Sequence, residues 1–267
     1  MSHTIKLSSP ATREFWEIPV LHEDDHLLAL DKPARLLTSP DRYDPARPNL
    51  MRLLHDAVTA GKPWARERGL TYLMNAHRLD FETSGILLLA KDKPTLVALA
   101  NLFGTEKPEK KYLALVRGWP LETAWDTDAP LAPHPTITGL MRVEPKRGKN
   151  SRTHFEQLEK FFGYTLLQCR PLTGRTHQIR VHLKHCGLPI IGDTTYGGRE
   201  LLLSSLKSGY RLKPGRVERP LLARVALHAE QLALVHPATG AAVRVTAPWP
   251  KDLAVAVKFL RLHAPLR

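Results

Sequence analysis

The sequence predicts an α+β fold, and three stretches predict it. Residues 86–90 are a short, uniformly apolar run bounded by polar residues and glycine, which is typical of a fully buried strand. Residues 153–158 and 164–170 alternate apolar and polar side chains, as the two strands of a hairpin do. Residues 50–58 instead carry apolar side chains at helical spacing. Strands and helices are therefore both expected.

The other elements follow from the same patterns, taken in chain order. Residues 1–19 are expected to form a loosely packed N-terminal tail. Pro94 suits the first turn of a helix that Asp92 or Lys93 would cap. Further strands are predicted at residues 20–22, 27–30, 110–118, 226–235 and 242–246, a helix at 175–185, a long excursion with short strands at 119–149, a loop at 193–198, and a basic insertion with a short helix at 199–222.

Length and composition favour a globular chain. Its 267 residues, 43% of them hydrophobic, are enough to bury a substantial core. No apolar run approaches the roughly 18 residues of a membrane span, and the N-terminus lacks an apolar signal segment, so we expect a cytoplasmic protein that does not contact the membrane. Cys169 and Cys186 are then expected to be reduced thiols.

The positive charge points to a polyanionic partner. The net charge is +13 and the isoelectric point is about 9.9. Residues 142–152 hold five cations and one acid, Glu144, and no acidic residue occurs between Glu159 and Asp193. Such clustering favours binding of an RNA backbone over a merely solvated basic surface.

Two motifs carry the candidate chemistry. Residues 77–85 read HRLDFETSG and form a polar loop that leads into the predicted buried strand, an arrangement that holds side chains on a rigid base. Residues 171–182 read PLTGRTHQIRVH. Together with GLPIIGD at 187–193 and LHA at 227–229, they resemble the signatures of the RluA-type pseudouridine synthases over about residues 20–248.

The resemblance implies a fold and a reaction. The fold would be that of the pseudouridine synthases: a long mixed, largely antiparallel central sheet of two halves, with helices and loops flanking a basic active-site cleft. Residues 20–267 would form one catalytic domain, without the separate N-terminal RNA-binding domain that many members carry. The reaction would be isomerisation of specific uridines to pseudouridine in structured RNA, either 23S rRNA or tRNA, by a monomer that needs no cofactor and no metal.

The resemblance also assigns catalytic roles. Asp80 would attack the ribose or abstract a ribose proton, and the sequence leaves both routes open. Arg180 would keep this carboxylate ionised. The target nucleotide would be flipped out of its stack, with Tyr112 stacking on the base and Arg78 filling the space it leaves.

A further group of motif residues is predicted to contact RNA. Two of them have a structural alternative: His77 could orient the loop, and Lys32 could shape the cleft wall. In the segment that follows Lys32, Arg35 occupies a position where the family usually has glycine. The complete group is His77, Thr83, Arg175, His177, Gln178, Lys32 and Lys111, with Arg78.

The residues fit three other functions less well. His182, His185 and Cys186 lack the second paired cluster of a zinc site. The glycines match neither common phosphate-binding loop, and no nucleophile elbow of a serine hydrolase occurs. The competing hypothesis is a non-catalytic RNA-binding or ribosome-assembly factor, which would have no reason to keep Asp80, Tyr112 and Arg180 together.

Overall fold

The fold was analysed in a computed structural model that describes residues 3–41, 44–213 and 215–266. The chain divides into two compact units. Unit 1 consists of Met1–Glu109 and Ala229–Pro248, and unit 2 of Lys110–His228 and Trp249–Arg267. Both units combine antiparallel strands with helices, so the α+β class is confirmed.

Unit 1 is built on a sheet whose strands have the order β1-β2-β3-β5-β12, with β4 pairing to β5 and β13 to β12. Its strands are β1 (Thr4–Ser9), β2 (Glu14–Glu23), β3 (Leu27–Lys32), β4 (Met74–Asn75), β5 (Ser84–Ala90), β12 (Leu227–Val235, in this unit from Ala229) and β13 (Ala242–Thr246), and its helices are α1 (Leu50–Thr59), α2 (Pro63–Glu67) and α3 (Lys93–Gly104).

Strand β5 is the centre of unit 1. All seven of its residues are buried, as its apolar sequence predicts. Alternate side chains serve two apolar clusters. Leu87 and Leu89 pack in a cluster that includes residues of α1 and α2, while Ile86 and Leu88 pack in one that includes Leu99 of α3. Strand β5 is thus fixed on both faces, which gives the loop before it a rigid attachment.

The helices of unit 1 begin at side-chain caps. Asn49 accepts a hydrogen bond from the Arg52 amide at the start of α1, and Asp92 accepts one from the Thr95 amide at the start of α3. Pro94 is the second residue of α3, where its missing amide hydrogen costs nothing. The predicted helix at residues 50–58 and the predicted cap at Asp92 are confirmed.

The predicted N-terminal tail is wrong for the residues that the structure describes. Strands β1 and β2 form an antiparallel hairpin, with Thr4 opposite Pro19 and Ser9 opposite Glu14. Ile5 and Ile18 have no exposed surface and belong to the same cluster as α1. Burial of alternate apolar side chains explains why this segment folds. Met1 and Ser2 lie outside the described residues.

In unit 2, four strands pair antiparallel in the order β6-β11-β10-β7, and β8 and β9 form a separate two-stranded sheet. Its elements are β6 (Glu109–Arg117, in this unit from Lys110), β7 (Ala124–Thr127), β8 (Leu131–Pro133), β9 (Met141–Val143), β10 (Thr153–Phe161), β11 (Tyr164–Pro171), α4 (Gln178–His185), α5 (Lys251–His263) and two short 3-10 turns at Thr194–Tyr196 and Leu203–Ser205.

The predicted hairpin is confirmed as β10 and β11, with Phe161 opposite Tyr164. The predicted helix at residues 175–185 begins three residues late, because His177 adopts a left-handed backbone conformation with φ of 53°. None of the helices in the described ranges is both long and apolar enough to cross a bilayer.

Candidate active site

In unit 1, the loop that carries Asp80 is tied to a neighbouring segment by Thr38. The Thr38 hydroxyl donates to the Leu79 carbonyl at 2.9 Å and accepts from the Leu79 amide at 3.2 Å. Leu79 itself is buried, and the Thr83 amide donates to the Asp80 carbonyl at 3.1 Å. Hydrogen bonds therefore fix the backbone of Leu79 and of Asp80, while the Asp80 side chain remains half-buried.

The other motif residues of this loop divide between support and surface. The His77 imidazole accepts from the Leu88 amide of β5 through Nε2 at 3.1 Å, and its ring stacks on Phe103 at 4.9 Å. These contacts orient the loop, which is the structural alternative for His77. Thr83 is buried, whereas Arg78 is exposed. Of the loop residues predicted to contact RNA, Arg78 presents its side chain to solvent.

The RNA contact predicted for Lys32 needs correction. Lys32 has no exposed surface, and its ammonium donates to the carbonyls of Pro33 and Leu36, both at 2.7 Å. A cation enclosed in this way shapes the chain that follows it and does not reach a phosphate. The chain there turns sharply, since Arg35 adopts the left-handed conformation with φ of 62° that favours glycine.

In unit 2, the second motif forms a turn that Gln178 organises. The Gln178 carbonyl oxygen accepts from the Thr173 hydroxyl at 2.6 Å and from the Arg175 amide at 3.0 Å. Its amide nitrogen donates to the Arg152 carbonyl at 2.9 Å and to the Thr153 hydroxyl at 3.0 Å. The side chain is buried, so the RNA contact predicted for Gln178 is also corrected to a structural role.

The turn places Arg180 in the first turn of α4, where it is buried against Asp193 and Tyr196. Its Nε donates to one carboxylate oxygen of Asp193 at 2.7 Å and its Nη2 to the other at 2.8 Å. The guanidinium carbon lies 4.8 Å from the centre of the Tyr196 ring. A guanidinium carries five N–H donors, and the pair with Asp193 uses two of them. A guanidinium bound in this way can therefore still donate to a second carboxylate.

Of the neighbouring motif residues, His177 contacts Tyr196, whereas Arg175 contacts a different segment. His177 Nδ1 lies 2.8 Å from the Tyr196 hydroxyl, to which the Met141 amide also donates at 3.0 Å. Arg175 is half-buried, and its Nε donates to the Asn150 carbonyl at 3.0 Å. The residues predicted from the second motif are thus brought together on one turn and the helix that follows it.

Tyr112 and Lys111 lie at the start of β6, and both are half-buried. Tyr112 is opposite Cys169 of β11 and packs against the large apolar cluster of unit 2. Cys169 is completely buried, which raises the pKa of its thiol. Cys169 is then a neutral, apolar member of the cluster against which Tyr112 packs.

His182 has a structural role in α4. It has no exposed surface, its Nε2 is hydrogen-bonded to the Ala129 carbonyl at 2.9 Å, and its Nδ1 is hydrogen-bonded to the Thr153 hydroxyl at 2.9 Å. Burial lowers the pKa of the imidazole, so the neutral form is favoured. Both ring nitrogens are used to fix α4 against the chain around it.

Sequence reasoning missed Asp193 and Tyr196. Residues 193–198 were predicted to be a loop, and although Asp193 also ends the motif GLPIIGD, neither residue was assigned a role. The available signal was an acid in a long stretch without other acids, close to a motif arginine that needs a counter-ion when buried.

The basic segment at residues 142–152 forms a surface of unit 2. Arg142 pairs with Glu144, and Arg152 pairs with Asp126. Lys146, Arg147 and Lys149 are exposed, and no ion pair is recorded for these three within the described residues. This part of the predicted excursion therefore presents cations that a polyanion can reach.

Comparison with known proteins identifies the class of enzyme. The human RNA pseudouridylate synthase domain containing 4 has a similar structure, with a TM-score of 0.67 and 25% identity over 91% of this chain and 92% of that one. A family model described as RNA pseudouridylate synthase matches residues 26–185. The chain belongs to this family, whose members are isomerases that act on uridine in RNA.

Two relatives show how far the similarity extends. The ribosomal large subunit pseudouridine synthase D of Xanthomonas campestris pv. campestris is 37% identical over 251 residues, which cover 91% of this chain and 69% of that protein. The ribosomal large subunit pseudouridine synthase C of Salmonella typhi is 36% identical over 247 residues, which cover 92% of this chain and 70% of that protein.

Proposed function

We propose that this pseudouridine synthase modifies ribosomal RNA of the large subunit and that Asp80 is its catalytic carboxylate. The observation that carries the proposal is the family match over residues 26–185, a range that includes Asp80, Tyr112 and Arg180. The names of the two relatives, each a large-subunit synthase, support ribosomal RNA over tRNA as the substrate.

The reaction sets simple requirements. The bond between ribose and N1 of uracil breaks, the base rotates, and a bond to C5 forms in its place, while the hydrogen on C5 is released as a proton and N1 gains one. No electron is lost or gained overall, so the balance requires no redox cofactor. A positioned carboxylate and exclusion of water while the base is detached are sufficient in principle.

Asp80 suits the carboxylate role by its setting. The hydrogen bonds from Thr38 to Leu79 and from Thr83 to the Asp80 carbonyl hold the loop backbone. The Asp80 side chain itself is half-buried. Arg180 would stabilise this anion, because a guanidinium stays charged in any protein environment. We leave attack on the ribose and abstraction of a ribose proton as the two routes by which Asp80 would act.

Access to the sugar requires an unstacked nucleotide. Flipping a uridine out of a structured RNA costs a few kcal/mol, which new contacts must offset. Tyr112 would stack on the extruded base, and the exposed Arg78 would enter the space that it leaves. The cations at Lys146, Arg147 and Lys149 would bind the phosphates of the surrounding RNA backbone.

We further propose that the enzyme acts as a monomer in the cytoplasm.

Tritium release tests the proposed substrate. The protein is incubated with transcripts of 23S rRNA and of mixed tRNA that carry tritium at C5 of uridine, since formation of the new bond at C5 releases that tritium to water. We expect release from 23S rRNA and none above background from tRNA. Release from tRNA alone would overturn the ribosomal assignment, and no release from either RNA would favour the non-catalytic alternative.

A further inference from the structure

We infer that Asp193 is a positioning residue that, with the ring of Tyr196, holds the guanidinium of Arg180 in one fixed orientation for the reaction. The inference rests on the proposed catalytic role of Arg180. Its structural basis lies entirely within unit 2 and consists of three contacts: the ion pair, the stacked ring and the hydrogen bonds behind that ring.

The ion pair fixes the guanidinium in its own plane. Both oxygens of Asp193 accept a hydrogen bond from Arg180, at 2.7 and 2.8 Å, so rotation about the bonds of the arginine would break one of the two. Both side chains are almost completely buried, with exposures of 7% and 1%, and water therefore does not compete for these bonds.

Tyr196 gives the guanidinium a second contact, with the face of its ring. The ring lies 4.8 Å from the guanidinium carbon, and the ring is itself buried. Its hydroxyl is hydrogen-bonded to the Met141 amide at 3.0 Å and to His177 Nδ1 at 2.8 Å. A guanidinium held by two hydrogen bonds and in contact with a fixed ring has little freedom left, and its N–H donors point in set directions.

The backbone around Asp193 is also fixed. Gly192 has a φ of +77°, and a Cβ there would lie 2.0 Å from the Arg224 carbonyl oxygen. A Cβ on Gly198 would lie 1.8 Å from the Ile190 carbonyl oxygen. The Tyr196 and Gly198 amides both donate to the Asp193 carbonyl, at 3.1 and 2.8 Å. These glycines allow close backbone packing on both sides of the carboxylate.

The central variant is Asp193→Asn, which keeps the shape of the side chain but turns an N–H₂ group toward one N–H donor of Arg180. Single-turnover tritium release is measured from C5-labelled 23S rRNA over a range of enzyme concentrations. We expect the maximal rate to fall about 100-fold while the half-saturating enzyme concentration changes less than about 3-fold, because orientation at the reacting atoms is lost and RNA binding is not.

The chain offers a matched control. Arg224 donates to Asp252 through Nε at 2.7 Å and through Nη2 at 2.9 Å, the same two-bond geometry in the same unit, with an arginine of similar burial and a more exposed carboxylate, 38% against 1%. Asp252→Asn is expected to lower the melting temperature and to leave the maximal rate within about 2-fold. A rate loss confined to Asp193→Asn is then not explained by a broken ion pair alone.

Coupling to Arg180 is tested by a double-mutant cycle. Arg180→Lys keeps the charge but cannot make the two-bond pair, so we expect it to lower the rate as well. Adding Asp193→Asn to Arg180→Lys should cost less than about 3-fold more, because the interaction is already absent. If Asp193→Asn does not fold, Asp193→Glu replaces it. It keeps the charge but displaces the guanidinium, and a rate loss of about 10-fold is expected.

A spectroscopic measurement separates this inference from the proposed function. In ¹⁵N-labelled protein, a held guanidinium gives slowly rotating, exchange-protected Arg180 side-chain N–H signals. We expect these signals in the wild type and their loss in Asp193→Asn. An inactive wild type with protected signals would overturn the proposed function and would leave intact the inference that Asp193 holds Arg180. Full activity of Asp193→Asn and Asp193→Glu, or unprotected wild-type signals, would overturn the inference.

Discussion

Gln178 shows how a motif residue can serve the fold instead of the substrate. All four hydrogen-bonding positions of its buried amide are used, two within the turn that precedes α4 and two with Arg152 and Thr153 at the start of β10. The motif correctly marked the residue as important, but the sequence could not tell which partners it has. Lys32 is a second case, because its ammonium is bonded to two carbonyls and enclosed.

Removing the Gln178 amide should therefore destabilise the protein. Gln178→Ala leaves buried donors and acceptors without partners, and each costs about 1 to 3 kcal/mol, so we expect the free energy of unfolding to fall by about 2 to 4 kcal/mol. Urea denaturation measures this free energy of unfolding. Gln157→Ala is the control, since no side-chain hydrogen bond of the half-buried Gln157 is recorded within the described residues. Equal stability of the two variants would refute the structural role of Gln178.

Asp193 and Tyr196 are the two site residues that the sequence did not predict. Asp80 and Arg180 stand in long motifs, and each was identified from its immediate neighbours. Asp193 lies 13 residues from Arg180 along the chain, and only the folded turn at residues 192–198 brings its carboxylate to the guanidinium. Partners of this kind are set by tertiary packing, which a local pattern does not encode.

At the scale of elements, the short loop between β2 and β3 depends on one carboxylate. Asp24 accepts hydrogen bonds from the amides of His26 and Leu27, both at 2.8 Å. Its second oxygen lies 2.9 Å from His22 Nε2 and 3.3 Å from His236 Nε2. Burial alone would raise the pKa of Asp24, but the hydrogen bonds outweigh it and lower the pKa from 3.8 to about 2.

The lowered pKa predicts a pH dependence. The ionised carboxylate stabilises the fold fully above pH 3.8, and this contribution is lost as the pH falls from 3.8 through about 2. Asp24→Asn should therefore be less stable than the wild type by about 1 to 2 kcal/mol at neutral pH, after allowance for partial exposure, and the difference should shrink in acid.

Thermal unfolding across this pH range checks the prediction, with the exposed neighbour Asp25 as the control. Asp25→Asn should differ little from the wild type at any pH. A destabilisation by Asp24→Asn that stays constant down to the lowest pH at which the protein is folded would show that the charge of Asp24 is not the cause.

Several elements could be predicted and others were missed for identifiable reasons. Strand β5 and the β10–β11 hairpin have strong, local patterns, and both are confirmed. The β1–β2 hairpin was missed although Ile5 and Leu7 alternate with polar residues, because charged and polar neighbours hide so short a pattern. Helix α5 went unpredicted despite apolar residues at helical spacing, namely Leu253, Ala256, Val257 and Leu260.

For the whole molecule, the net charge of +13 makes a prediction about RNA binding. Lys146 and Arg147 are exposed, and no ion pair is recorded for them among the residues described. In Lys146→Ala/Arg147→Ala, the slope of log K against log salt concentration should fall by about 1 to 2 for binding to 23S rRNA, because each phosphate contact contributes about 0.7 to 0.9.

The matched double variant removes two cations that are already paired, Lys6 with Glu17 and Arg261 with Glu159. Lys6→Ala/Arg261→Ala changes the net charge equally, and we expect a smaller change in slope. Filter binding over a salt titration gives both slopes. Equal slopes for the two variants would mean that total charge, and not the segment at residues 142–152, determines binding.

The division into two units could not be predicted from the sequence. Residues 20–267 were expected to form one domain, because the family resemblance implies a single catalytic domain. The C-terminal portion of β12 and all of β13 return to unit 1, while α5 belongs to unit 2. The unit to which each of these C-terminal elements belongs depends on pairing with residues far away in the chain. No local sequence pattern indicates that pairing.

The central claim is that Asp80 performs the isomerisation, and tritium release by Asp80→Asn tests it most directly. Asp56→Asn, at an exposed carboxylate of α1, is the control. With C5-labelled 23S rRNA we expect wild-type release from the control, no release above background from Asp80→Asn, and dissociation constants for RNA within about 3-fold for all three proteins. Release by Asp80→Asn at the wild-type rate would contradict the account.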